Sequence, residues 1–348
     1  MAKEIKTPVF VFDKDKLIEN YCSFKQLCEK YLDKFKICYS VKTNSLPEVL
    51  KTLNGEKCGF EIASLDELNL VRSLKPKSFF GIFNGSCKTE AELKLALKND
   101  FLINIDNFTE IEKISAIKRN EEIGIRVAFE EGKLGIDESK ILEAFKKATQ
   151  FSLKPVALSC HAGTQATLLH FRKMISKLSA VMENLLRKGF ALKYLDIGGG
   201  FPDKIQLKSL SLTLDDYFWE ISKLKKFNCI IILEPGRVLV SDSMSLLTKV
   251  HYTKENFGKK YAICDAGINL LPKITMSRYF IKKLSKEIEG KKEHYLLAGP
   301  LLFKNDIFGE YIGQLKEGDI LKIENVGAYC YNLAWEISYK KPKVESLL

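Results

Sequence analysis

The sequence has only four histidines among 348 residues, and its nine cysteines include no Cys-x-x-Cys pair. Without paired metal-ligand spacing no zinc site, and no other metal, is expected. The cysteines are scattered, and Cys38, Cys160, Cys229 and Cys264 fall inside apolar runs, the pattern of reduced core thiols in a cytoplasmic protein. No apolar stretch approaches a transmembrane span, and Met1-Ala2-Lys3-Glu4-Ile5-Lys6-Thr7-Pro8 lacks the apolar core of a signal peptide, so no membrane partner is expected. Arginine is scarce, and the lysines behind the net charge of +11 are interleaved with acids along the whole chain. That distribution argues against a nucleic-acid stripe and leaves solvated faces with mild steering of an anionic substrate.

What the sequence does contain is an ordinary globular composition, 46% hydrophobic and 28% charged, on a chain long enough for one large domain and a smaller one. Strand-like runs occur near 35–42, 57–62, 78–83, 101–106, 123–129, 155–161, 193–198 and 229–234, with amphipathic segments between them. Ser64-Leu65-Asp66-Glu67 and Thr89-Glu90-Ala91-Glu92 fit the capping box at helix starts. Eight βα units over residues 15–240 predict an α/β fold, a parallel (β/α)₈ TIM-type barrel in preference to an open doubly wound sheet.

In such barrels chemistry sits at the carboxyl ends of the strands. Here those ends carry Lys42, Glu61, Asn84, Arg126, His161 with Thr164, Gly198-Gly199-Gly200, and Glu234-Pro235-Gly236-Arg237. Lys42 closes the run Phe35–Val41, and an amine desolvated there would be a Schiff-base nucleophile; a lysine marking where a strand meets solvent is the plain alternative. Three glycines after an apolar strand let backbone N–H groups approach a phosphate, although a flexible turn reads the same way. Arg237 could close that cradle. Glu234 ends the run Ile230-Ile231-Ile232-Leu233, where a carboxylate needs a cationic partner: a protonated pyridine nitrogen, or an ordinary salt bridge. His161 could stack on an aromatic ring or be a satisfied structural residue. Together the lysine, the cradle and the carboxylate describe pyridoxal 5′-phosphate.

The sequence resembles the fold type III pyridoxal-phosphate-dependent decarboxylases of basic amino acids, the ornithine, diaminopimelate and biosynthetic arginine group. The matching segments are Thr7–Asp13, Tyr39-Ser40-Val41-Lys42-Thr43-Asn44, His161-Ala162-Gly163-Thr164-Gln165, Asp196–Pro202, Glu234-Pro235-Gly236-Arg237, Asp265-Ala266-Gly267 and Gly327-Ala328-Tyr329, in family order. The resemblance implies that Lys42 carries the cofactor as an aldimine and that His161 stacks on its ring. It implies that Thr164, Gly198, Gly199, Gly200, Gly236, Arg237 and Tyr329 hold the phosphate, and that Glu234 pairs with the pyridine nitrogen. It further implies a β-rich second domain formed by residues 1–14 and 241–348, and a cytoplasmic homodimer with shared active sites.

The sequence departs from the family pattern where the substrate's distal end would lie. The usual Gly-Pro-x-Cys-acid segment reads Gly299-Pro300-Leu301-Leu302-Phe303-Lys304-Asn305-Asp306, so Leu302 stands for the cysteine and Phe303 for the acid, with Asp306 retained. No arginine follows Asp265-Ala266-Gly267, though Lys273 lies close, and the loop between Arg126 and Gly135 is short. Glu61, Arg126, Lys273, Leu302, Phe303 and Asp306 are therefore the expected substrate contacts. An apolar pair cannot solvate a terminal ammonium, which favours an amino acid or conjugate, carrier-bound ones included, with a masked or apolar distal end. Diaminopimelate decarboxylase proper, an amino-acid racemase and a catalytically silent regulatory relative remain as alternatives.

Overall fold

The computed structural model describes residues 6–75, 79–272, 276–284 and 292–346. Two compact units divide the chain, one of Ile18–Leu239 and one of Met1–Leu17 with Val240–Leu348. The first half of the chain runs β1 (Val9–Phe12), α1 (Lys14–Tyr31), β2 (Phe35–Ser40), α2 (Pro47–Gly55), β3 (Gly59–Ile62), α3 (Leu65–Ser73), β4 (Gly81–Phe83), α4 (Glu90–Lys98), β5 (Leu102–Ile105) and α5 (Phe108–Ile117). It continues through β6 (Glu122–Ala128), β7 (Ile136–Asp137), α6 (Ile141–Gln150), β8 (Lys154–Ser159), α7 (Leu168–Arg187), β9 (Tyr194–Asp196), α8 (Lys204–Ser209), α9 (Leu214–Ser222), β10 (Ile230–Leu233) and α10 (Arg237–Val240).

Strands β5-β4-β3-β2-β10-β9-β8-β6 pair in that order, all parallel, and β5 pairs with β6 to close the ring. This is the eight-stranded barrel that the alternating pattern predicts, with strand ends within a few residues of the expected runs. The helices begin where local chemistry allows. Thr89 and Glu92 form the expected capping box. At Ser64 the cap is only half made: Ser64 accepts from the Glu67 N–H, but Glu67 reaches back one residue further, to the Ala63 N–H at 2.7 Å.

The barrel interior is layered. Cys38, Ile82, Leu102, Ala157, Tyr194 and Ile232 form one buried apolar cluster. Two residues further along the same strands, and so on the same face, stand Ser40, Asn84, Asn104, Ser159, Asp196 and Glu234. The remaining two strands put glycines at the apolar level, Gly59 and Gly124, and Glu61 and Arg126 above them. Every barrel strand thus changes from apolar to polar at its carboxyl end.

The second unit is an eight-stranded mixed sheet. Its strands are β1, β11 (Met244–Asn256), β12 (Lys259–Cys264), β13 (Phe280–Lys283), β14 (Glu293–Ala298), β15 (Ile307–Gly313), β16 (Ile320–Glu324) and β17 (Val344–Ser346). The amino-terminal strand β1 runs antiparallel to β11 and parallel to β17. Val250, Ala262, Cys264, Tyr295, Leu297, Tyr311, Leu315 and Leu321 form its core. All nine cysteines are free thiols, and burial pushes Cys28, Cys38, Cys58, Cys160, Cys229 and Cys264 up, Cys58 and Cys264 to about 12. Among the described residues no helix is long and apolar enough to cross a membrane.

Candidate active site

Lys42 lies just past the end of β2 in the 3₁₀ turn Val41–Thr43. Its Nζ donates to Ser40 Oγ at 2.8 Å and pairs with Glu61, to which Ser40 Oγ also donates. The expectation of a desolvated amine is corrected here. The Lys42 side chain is 44% exposed, while Glu61 is the buried member of the pair, at 1%. The strand ends two residues before the lysine, so its four-carbon stem lifts the ammonium out of the barrel and over the acid. Burial works against a charged Glu61, but the Lys42 charge and the hydrogen bonds from Lys42, Ser40 and Asn84 outweigh it and hold the carboxyl below its usual range. The structure therefore makes Glu61, expected as a substrate contact, the partner of Lys42.

From Glu61 a hydrogen-bonded chain crosses the mouth of the barrel. Asn84 Nδ2 donates to Glu61 Oε1 at 3.1 Å and to Glu234 Oε1 at 2.8 Å. Asn104 Nδ2 donates to Asn84 Oδ1 at 2.9 Å and to Asp196 Oδ2 at 2.7 Å. Glu234 is expected to need a cation; the described barrel supplies the Asn84 amide, with a second acid, Asp196, nearby. Burial, followed by the nearby charges of Asp196 and Glu61, drives the Glu234 pKa well above the usual carboxylate range.

The glycine run is a point where three loops meet. Gly198 and Gly200 adopt φ of +66° and +87°, a conformation that costs other residues dearly. A Cβ on Gly199 would lie 2.4 Å from the Glu234 carbonyl oxygen, and one on Gly200 would lie 2.2 Å from that of Gly163. Gly236 packs equally closely on Thr43, where a Cβ would stand 2.1 Å from Oγ1. The Gly199 N–H donates to His161 Nδ1 at 3.1 Å, which fixes that nitrogen as an acceptor. His161 is open to solvent on one side, yet desolvation by the wall behind it, with the Lys42 and Arg126 charges, lowers its pKa to about 4. Its ring is neutral at physiological pH. Arg237 opens α10, buried, with Nη1 3.8 Å from Asp203 Oδ2. Thr164 is exposed in the loop that follows His161. Arg126 and His161 line one open recess of about 630 Å³.

The barrel unit thus brings together Lys42, Glu61, His161, Gly198, Gly199, Gly200 and Glu234, and adds Ser40, Asn104, Ser159 and Asp196. These additions were legible as lone polar residues in apolar strands, as in Leu102-Ile103-Asn104-Ile105. The other unit holds the remaining candidates. Tyr329 caps the short helix α11 (Cys330–Leu333) at φ +67°. Leu302 is 101% exposed, and Phe303 is exposed with its ring 6.2 Å from Trp335. Asp306 is buried, with Oδ1 accepting from Ile268 N and Oδ2 from Leu301 N, both at 2.8 Å. Its carboxylate ties two turns together, a structural role in place of the expected substrate contact. Lys273 lies outside the described residues.

A primary amine beside one acid, a glycine turn near a buried arginine, a neutral imidazole plane and a buried acid opposite the amine form the donor set that pyridoxal 5′-phosphate requires. The similarity of the whole chain to known proteins agrees. Residues 16–241 match the family described as "Pyridoxal-dependent decarboxylase, pyridoxal binding domain". Diaminopimelate decarboxylase of Helicobacter pylori is 28% identical over 370 residues, covering 98% of this chain and 90% of that protein. The enzyme of that name from Aquifex aeolicus is 27% identical over all of this chain and 88% of its own length. The crystal structure of the Helicobacter pylori enzyme complexed with L-lysine superposes with a TM-score of 0.89 at 27% identity, covering 99% of this chain and 92% of that one. The chain belongs to the pyridoxal-dependent decarboxylases of fold type III, carboxy-lyases whose cofactor is pyridoxal 5′-phosphate.

Proposed function

We propose that this protein removes the α-carboxylate, as CO₂, from an amino acid or amino-acid conjugate whose distal end is masked or apolar, with Lys42 as the amine that holds the cofactor. The observation that carries the reading is the joining of Lys42, through Glu61 and Asn84, to Glu234 across one polar layer of the barrel. When bound, pyridoxal phosphate supplies the sink for the electrons that departing CO₂ leaves behind. Thr164, Gly198, Gly199, Gly200, Gly236 and Arg237 bind its phosphate. His161 offers a neutral face, so no second cation competes for the ring. Glu234 holds a proton at the ring nitrogen, and Glu61 keeps the Lys42 ammonium directed over the barrel mouth. Arg126, in the recess beside His161, receives a carboxylate of the substrate.

The substrate class follows from Leu302 and Phe303. Both are exposed and apolar, and burying a terminal ammonium against them without a partner costs several kcal/mol, about 3–5 by analogy with broken buried pairs. A homodimer belongs to this reading, with a second copy covering Leu302; the mass in solution tests it. The deciding experiment is CO₂ release from a panel of free, N-acylated and thioester-linked amino acids. Conjugates or apolar amino acids should turn over, with diaminopimelate, lysine and ornithine poor. A second reading, diaminopimelate decarboxylase itself, is favoured by the likeness to the Helicobacter pylori enzyme over nearly the whole chain. Efficient turnover of diaminopimelate would establish it and overturn the masked-substrate reading.

A further inference from the structure

Glu234 does not stand alone at the end of β10. Two side-chain amides, Asn84 and Asn104, join it to Asp196, the last residue of β9. Asp196 is fully buried and braced by three donors: Gly198 N–H at 3.0 Å, Asn104 Nδ2 at 2.7 Å and Ser159 Oγ at 3.1 Å. The Asn84 and Asn104 amides link it to Glu234 in a row of four side chains.

Asn104 shows what this row requires. Its Oδ1 is buried and has no hydrogen-bond partner. It faces Gly124, where a Cβ would stand only 1.8 Å away. An orphaned buried carbonyl costs about 1–3 kcal/mol. The amide is nonetheless turned so that its nitrogen serves both Asn84 and Asp196, and Gly124 leaves the space that this orientation needs. A local rule is broken to keep the two acids in place.

We propose that Asp196 is a positioning residue for Glu234: it anchors the Asn104 amide, and the Asn84–Asn104 pair fixes the direction in which Glu234 is presented. The inference rests on the reading that Glu234 faces the cofactor's ring nitrogen. The charged groups facing Glu234 are Asp196, Glu61 and Lys42. Buried, with the first two acids nearby, Glu234 retains its proton in the empty site and can offer it as a hydrogen bond to a basic ring nitrogen. A ring with carbon at that position has no acceptor for it.

The test uses cofactor-free protein titrated at pH 8 with pyridoxal phosphate and with its deaza analogue, in which carbon replaces the ring nitrogen. Wild-type protein should prefer the natural cofactor by roughly tenfold or more, the worth of a charge-assisted hydrogen bond. Asp196→Asn and Asn104→Ser should lose most of that preference while binding the deaza analogue as the wild type does. The infrared band of a protonated carboxyl in the empty protein should vanish in Glu234→Gln. Should either large change prevent folding, Ser159→Ala, which removes one donor to Asp196, should lower the preference by a smaller factor in the same direction. Asp196 and Asn104 variants that keep the preference, or a Glu234→Gln variant that keeps the carboxyl band, overturn the proposal. A wild-type protein without any preference overturns the reading of Glu234 itself, and the proposal with it.

Discussion

The ammonium of Lys42, two residues past the end of β2, rests on the carboxylate of Glu61 on the neighbouring parallel strand β3, where Ser40 and Glu61 are register partners. The amine proposed to hold the cofactor is therefore fixed by a barrel strand, and its counter-ion is the buried partner.

Lys42→Ala should remove the covalent anchor without disturbing the fold, because the side chain is half-exposed. Wild-type protein should absorb in the visible with bound cofactor, and borohydride should fix that cofactor to the peptide containing Lys42. The variant should show no such fixation and lose activity by roughly 10⁴-fold or more. Wild-type protein that takes up no pyridoxal phosphate on incubation would refute the site.

Glu61→Gln should destabilise the cofactor-free protein modestly, by about 1 kcal/mol after discounting for the exposed lysine. The Glu61 carboxyl is held below its ordinary range. Its contribution is therefore present above an unfolded pKa of about 4.3 and is lost as pH falls through the lower folded value. The melting-temperature gap between wild type and variant should close in acid. A gap that widens there contradicts the assigned pairing.

Glu234→Gln should retain the cofactor yet lose most turnover, by roughly 10²-fold or more, because the phosphate contacts survive while the proton at the ring nitrogen is no longer held by a charge. The raised Glu234 pKa also has a stability signature. A folded state that binds the extra proton loses stability as pH rises from about 4.3 towards the raised folded value. Chemical denaturation of the empty protein should show that decline in the wild type and a flatter profile in the variant.

His161 should stay neutral across the working range, since its pKa lies near 4. Its unfolded value is about 6.5, so the stability that goes with a neutral ring is complete above that pH and is lost as pH falls towards 4. The imidazole signals of His161 in NMR spectra should not titrate between pH 5.5 and 8, and His161→Phe should keep a ring against the cofactor and much of its affinity. A titration near 6.5 would show that the recess does not desolvate the ring.

Leu302→Cys should restore a proton donor at the position where relatives in this family have a cysteine. The expected outcome is less abortive transamination, read as slower loss of the cofactor's absorbance during turnover, whatever the substrate. Unchanged loss of cofactor would mean that Leu302 does not reach the reacting carbon. Cys330 is a weak substitute, being fully buried with its sulfur 3.3 Å from the Tyr279 hydroxyl.

Local pattern alone specified the barrel and its reactive rim. Strand periodicity is set by side-chain alternation, so the eight runs and the polar residues at their ends, Lys42, Glu61, His161 and Glu234 among them, were visible without coordinates. So was the mixed second sheet's claim on the first strand, through the family resemblance. The partnerships were not visible. That Lys42 is half-exposed and anchored by Glu61, and that Asn84 joins Glu61 to Glu234, depend on residues 19 to 150 positions apart. Barrel closure brings them together, because inter-strand stagger and loop packing decide which side chains share a layer. A sequence records which groups reach the rim; only the closed ring of strands decides which of them touch.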